Sequence, residues 1–361
     1  MNSDFLRRMA EATRLTRLGD VHAATAAIRE ALAHQTSGDG SLGAPSTVID
    51  VEARELPDAE PASIETERPP MPIDRGIDGS TEAFLAGTFA NASAQRDYKL
   101  FAPAQDGNAR LPLIVMLHGC TQNPDDFAAG TAMNQLAREQ GFYVLYPAQS
   151  RRANPQGCWN WFKHNHQQRG RGEPELLAQM TREVIGLHAI DPRRVYVAGL
   201  SAGGAMAAIL GDAYPDIFAA VGVHSGLAAG AASDLPGALS AMQSGASPKV
   251  GRGTAIPTIV FHGDADSTVH AKNGEHVIAA SAAGAESVHL ERLAGGGKRP
   301  TTRRVHIAAD GRVLAEHWLV HGASHAWSGG SSAGTYTDPR GPDASAEMVR
   351  FFLEHPHGRL H

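Results

Sequence analysis

Ser201, Asp266 and His325 are the side chains whose types, order and surroundings fit acyl transfer. Ser201 lies in Gly199-Leu-Ser-Ala-Gly203, a G-x-S-x-G pattern. Residues 195–198 before it are strand-forming, and residues 202–210 after it are small helix formers. A serine at a strand–elbow–helix junction presents its Oγ above the sheet edge. Gly199, Gly203 and Gly204 let the two backbones come together there. A serine hydroxyl is a poor nucleophile until a base takes its proton during attack. On this pattern the acid and then the histidine follow the serine along the chain.

The acid is expected just beyond the apolar run 258–261, where the chain reads His262-Gly-Asp-Ala-Asp-Ser-Thr-Val269. Asp264 is still in the turn leaving the strand, where a carboxylate satisfies turn N–H groups. Asp266, further along the loop, is assigned the role. The base is sought in Leu319-Val-His-Gly-Ala-Ser-His-Ala-Trp327. His321 ends the strand and packs or caps, whereas His325 lies beyond the turn and is assigned as base. Its Nε2 would take the Ser201 proton, with Asp266 on Nδ1–H fixing the tautomer. The oxyanion needs donors already in place. The N–H of Ala202 is one, and that of Cys120, in His118-Gly-Cys-Thr121, is assigned as the other.

Strands alternating with helices must position these groups. Tyr98-Lys-Leu-Phe101 alternates as an edge strand would, and residues 111–117 form a continuous apolar run of the kind buried in parallel sheets. Residues 125–140 read as a helix, 142–146 as a strand and 174–187 as a helix. Further strands are expected at 218–223 and 258–261, a hairpin at 302–307 and 312–320, and a last helix at 343–354. The pattern predicts an α/β domain over 93–361, a mostly parallel sheet covered by helices on both faces. Residues 1–34 carry helical periodicity and read as a short helical segment. Residues 35–92 are rich in Pro, Ser, Gly and acidic residues and read as a flexible linker.

A net charge of −6 is no basic balance of the kind that suggests nucleic acid. No apolar run approaches a membrane span. The start, Met1-Asn-Ser-Asp-Phe-Leu-Arg-Arg-Met, lacks the apolar core of a secretory signal. Cys120 and Cys158 can form at most one disulfide and cannot hold zinc alone. Trp159, Trp161, Phe162 and Trp327 fall on expected loops, where they could line an acyl or aryl site or form small satellite cores. Lys163-His-Asn-His166 lacks the neighbouring ligands of a metal pair and reads as solvated. No metal or cofactor is implied by this set of groups.

Five segments together carry a resemblance: Leu117-His-Gly-Cys-Thr-Gln122, Gly157-Cys-Trp-Asn-Trp161, the Gly199–Gly204 elbow, His262-Gly-Asp-Ala-Asp266 and Gly322-Ala-Ser-His-Ala-Trp327. Over about residues 98–353 the chain resembles the polyhydroxybutyrate depolymerase family of esterases, to which feruloyl and acetylxylan esterases are related. That resemblance implies an α/β-hydrolase fold without a large lid, and a Ser201–Asp266–His325 triad. It implies a Cys120–Cys158 disulfide beside the oxyanion loop, the alternative being two free buried thiols. It also implies an ester or polyester substrate and an extracellular setting, although secreted members normally carry the signal peptide not seen here. The readings to be separated are a polyester depolymerase, a feruloyl- or acetylxylan-type esterase, a serine peptidase on the same fold, and a non-catalytic protein bound to polymer granules.

Overall fold

A computed structural model describes residues 81–91, 94–105, 109–245, 256–293 and 296–358. The described residues all belong to one unit, Arg68–His361. The helical segment expected at 1–34, and the linker up to residue 80, lie outside the described residues.

The chain builds one sheet from β1 (Ala83–Ala90), β2 (Gln95–Ala102), β3 (Leu111–Leu117), β4 (Tyr143–Pro147), β5 (Ile190–Leu200), β6 (Ala220–His224), β7 (Thr258–Gly263), β8 (Ser287–Leu293), β9 (Thr301–Ile307) and β10 (Val313–Val320). Its order is β1-β2-β4-β3-β5-β6-β7-β10-β9-β8. The strands from β4 through β3, β5, β6 and β7 to β10 run parallel. Antiparallel pairs finish both sides, β1 with β2 and β8 with β9.

The helices are α1 (Pro124–Thr131), α2 (Met133–Gln140), α3 (Gly172–Leu187), α4 (Ala202–Ala213), α5 (Leu235–Ser244), α6 (Lys272–Ser281) and α7 (Ala344–Glu354). Because strand side chains alternate between faces, the central strands feed two cores. Leu113, Val115, Val197, Val223 and Val260 pack with Leu177 of α3, Met206 and Leu210 of α4 and Val277 of α6. Ile114, Met116, Tyr196, Ala198 and Phe261 pack with Phe127 of α1, Met133 of α2 and Met348 and Phe352 of α7. The expected sheet covered on both faces is therefore what forms. Among the described residues, no helix is long and apolar enough to cross a membrane.

Three details differ from the sequence reading. The folded sheet reaches back into the stretch read as linker, because Ala83–Ala90 forms β1 and makes β2 an inner strand. Small residues hid it: Gly87 lies against the Tyr98 ring, where a Cβ would come within 2.4 Å of Cζ. The helix expected over 125–140 is two helices, broken at Ala132 with φ 52°. There the carbonyl of Thr131 accepts from the Ser345 hydroxyl at 2.7 Å. Strand β8 and helices α5 and α6 had no sequence assignment. Every residue of β8 before Leu293 is exposed, so it lacks the alternation that marks a half-buried strand.

Phe352 is fully buried and stacks on Tyr196, ring centroids 5.0 Å apart. Phe352→Ala should cost about 3–5 kcal/mol of unfolding free energy, measurable by urea titration.

Candidate active site

At the end of β5, Ser201 has φ 57° and ψ −117°. An L-residue with a side chain rarely adopts positive φ, and such strain collects at functional sites. Close backbone approach holds it there. A Cβ on Gly203 would lie 2.0 Å from the Leu117 oxygen, and one on Gly199 would lie 2.4 Å from the Gly203 carbonyl carbon. Only glycine lets β3, β5 and α4 meet at this distance. The Ser201 N–H donates to the His224 carbonyl at 2.9 Å, tying the elbow to β6.

Two strands further on, Asp266 follows the end of β7, and its side chain is buried. One of its oxygens, Oδ1, accepts the N–H groups of Thr268 at 2.9 Å and Val269 at 2.8 Å. The other, Oδ2, lies 2.7 Å from His325 Nδ1. An ionised carboxylate only accepts, so Nδ1 carries the hydrogen and Nε2 presents its lone pair. Burial opposes ionisation of Asp266, but the hydrogen bond from His325 and that from the Val269 N–H outweigh it, and its pKa lies below the usual value. The acid and histidine loops touch directly: a Cβ on Gly263 would meet the Ala323 oxygen at 2.2 Å.

The loop after β3 is braced from several sides. His118 Nδ1 bonds the Gly119 carbonyl at 2.8 Å, while its Nε2 accepts the Gln149 N–H at 3.1 Å. That pattern needs a neutral ring, and burial lowers the His118 pKa accordingly. The Trp159 indole donates to the His118 carbonyl at 3.1 Å. Cys120 and Cys158 form a disulfide. Behind them Glu173, buried, accepts from Gln149 Nε2 at 2.5 Å and from Asn160 N and Nδ2 at 2.7 Å. Burial works against its charge, yet the His166 ring and these hydrogen bonds more than offset that, so its pKa is lowered. Gly119 N donates to Gln122 Oε1 and Thr121 N to Gln156 O, which leaves the Cys120 N–H between two engaged neighbours.

The Esterase PHB depolymerase family profile matches residues 96–305, more than half of the chain. The chain is a member of that family. Poly(3-hydroxyalkanoate) depolymerase C of Paucimonas lemoignei is 39% identical over 137 residues, 38% of this chain and 33% of that protein. Feruloyl esterase B of Thermothelomyces thermophilus is 35% identical over 123 residues, 34% of this chain and 41% of that one. The matched stretch thus spans well under half the length of either relative. Among solved structures, an acetyl xylan esterase from Aspergillus awamori superposes with a TM-score of 0.56 at 18% identity, covering 75% of this chain and 99% of that one. The fold is the α/β-hydrolase fold.

Within this family member, Ser201, Asp266 and His325 stand beyond the ends of β5, β7 and β10, strands separated in the sheet only by β6. Asp264 does not cap its own turn but accepts the Gly322 N–H at 2.7 Å from the loop after β10, and also meets His321 Nδ1 at 2.7 Å. The tryptophans do not present binding surface. Trp159, Trp161 and Trp327 are 0%, 5% and 1% exposed, and the Trp327 indole donates to Ser345 Oγ at 3.0 Å. They are packing groups, because the apolar bodies of these loops need cores of their own. His166 is buried beside Glu173 rather than solvated, although Lys163, His164 and Asn165 are exposed.

His224 escaped the sequence reading. It is buried, stacks on Trp327 at 5.0 Å and accepts the Ser328 N–H at Nε2, 2.9 Å away. Burial holds its pKa down to about 3, so the ring stays a neutral acceptor. Its position at the end of an apolar strand was the available signal.

Two outcomes follow from this geometry. Gly203→Ala should lower Tm and abolish activity together, since neither backbone at the junction can retreat, as thermal melts and ester assays would show. Glu173 and Asp266 have depressed folded pKa values, so their stabilisation is complete above the ordinary carboxylate range and is lost as pH falls through it, below about 4. Melts between pH 7 and 3 should show that loss in wild type, and a smaller one in Glu173→Gln.

Proposed function

We propose that this protein hydrolyses carboxylic esters through an acyl-serine intermediate on Ser201. The observation that carries the reading is the 2.7 Å bond from a buried, ionised Asp266 to His325, placed two strands from a serine strained at φ 57°. Attack by Ser201 Oγ on the ester carbonyl transfers its proton to His325 Nε2, and Asp266 stabilises the imidazolium. The N–H groups of Ala202 and Cys120 receive the oxyanion. His325 then protonates the departing alcohol, and the same base activates water to release the acid.

Family membership supports the ester class. Likeness to a poly(3-hydroxyalkanoate) depolymerase supports hydroxyalkanoate esters, as oligomer or polymer, as the substrate. Likeness to a feruloyl esterase B supports aryl esters as the second reading. The Cys120–Cys158 bond supports work in an oxidising compartment.

The test is hydrolysis of p-nitrophenyl acetate, butyrate and octanoate, of methyl ferulate and of amorphous polyhydroxybutyrate. Ser201→Ala should lose at least ~10,000-fold in kcat, with fluorophosphonate labelling abolished. Polymer clearing by wild type alone supports the depolymerase reading. Small-ester or ferulate cleavage without clearing replaces it with the second. Equal behaviour of wild type and mutant removes Ser201 as the nucleophile and leaves a granule-binding role. Reduction of the disulfide, which closes a loop of 38 residues, should cost about 4 kcal/mol of stability, read as a lower Tm in dithiothreitol.

A further inference from the structure

Thr335 and Tyr336 lie between β11 (Trp327–Ser328) and β12 (Thr337–Asp338), a small parallel pair directly after the histidine loop. Tyr336 has φ 52°, and its side chain is 45% exposed. A tyrosine in the left-handed region is sterically disfavoured, and an exposed ring recovers little of that by burial. Its polar groups explain the position. The Tyr336 carbonyl accepts the Trp327 N–H at 2.7 Å, two residues beyond His325. On the other side its hydroxyl lies 3.2 Å from Thr121 Oγ1 in the loop after β3. Thr121 is itself at φ 66°. A threonine hydroxyl has one hydrogen, and Thr121 gives it to the Cys120 carbonyl at 2.6 Å. Tyr336 must therefore donate, giving a directed chain from Tyr336 O–H to Thr121 O–H to the Cys120 carbonyl.

A second connection runs parallel to the first. Thr335 places its N–H on Asp126 Oδ1 at 2.8 Å and its hydroxyl on Oδ2 at 2.6 Å. Gln122 Nε2 donates to the same Oδ2 at 2.9 Å and reaches the Thr335 carbonyl at 3.2 Å. Gln122 Oε1 in turn accepts the Gly119 N–H at 2.9 Å. Residues 335–336 thus reach the peptide after Cys120 through Thr121, and the His118–Gly119 peptide through Gln122.

We propose that Thr335 and Tyr336 form a strap that sets the oxyanion loop in register with the histidine loop, with Tyr336 a positioning residue for the Cys120 N–H. The proposal rests on the ester-hydrolase reading above. A misplaced oxyanion donor weakens transition-state binding far more than substrate binding, so the strap acts on kcat rather than KM.

The test is a double-mutant cycle on p-nitrophenyl butyrate with Tyr336→Phe, Thr121→Val and the pair. Each single change should lower kcat about 5- to 20-fold, with KM within about twofold. The double variant should be no slower than the worse single, because both remove one shared bond. Tyr336→Phe should leave Tm nearly unchanged. Unchanged kcat in Tyr336→Phe, losses that multiply, or a rise confined to KM would overturn the strap. Hydrogen exchange separates this from the activity itself: residues 118–122 should exchange faster in Tyr336→Phe, and unaltered exchange counts against the strap. Were wild type inactive on every ester, the ester-hydrolase reading alone would fall and the exchange result would decide the strap.

Discussion

The site depends on one close approach, that of the first turn of α4 to the end of β3. With the Gly203 Cα against the Leu117 carbonyl, no side chain fits between the two backbones. That contact sets the distance between the elbow and the loop carrying Cys120, and these are the two sources of the proposed oxyanion donors. It also forces the turn at Ser201 to be abrupt, so the strain at φ 57° is the local consequence of packing two elements too close for a gradual bend. The strain is offset by the 12-residue helix and the central strands on either side, most of whose residues are buried.

Around that contact the loops close into a ring. The elbow bonds His224, His224 bonds Ser328 beyond the histidine loop, Trp327 bonds Tyr336, and Tyr336 reaches Thr121. The ring closes where Gly203 meets Leu117 and His118. Among the described residues, five without glycine's freedom have positive φ: Thr121, Ala132, Ser201, Ser225 and Tyr336. Four of these, all but Ala132, belong to the ring or directly follow a member of it. Strain gathered in this way is sustained only where the surroundings over-determine the backbone.

The charges follow the same economy. His118, His224 and His262 are buried, and burial lowers the pKa of each, so they serve as neutral rings with one donor and one acceptor. Asp266 and Glu173 stay ionised because several hydrogen bonds converge on each carboxylate. One aligns His325; the other holds the segment that carries Cys158, and through the disulfide the loop after β3. Buried charge is thereby spent on orientation, Asp266 joining N–H groups of its own loop to His325 and Glu173 joining Gln149 to Asn160.

The sequence by itself determined the parallel sheet, the order of its central strands along the chain, the elbow at Ser201 and the Asp266–His325 partnership. Each of those signals is local: an apolar run long enough for a buried strand, glycines at a turn, a carboxylate just past a strand end. The family segments added the disulfide. What only tertiary structure decided is which loop residues face one another. Trp159 and Trp327 could have lined a site or formed satellite cores and are interior, because a tryptophan on a loop reads the same whether the loop folds inward or out. Strand β1 and the roles of His224, Glu173 and Tyr336 were hidden for a related reason. A residue whose partners lie across the fold carries no periodicity, and its burial or hydrogen bond exists only once β3, β6 and the segment 327–338 have been brought to the same sheet edge.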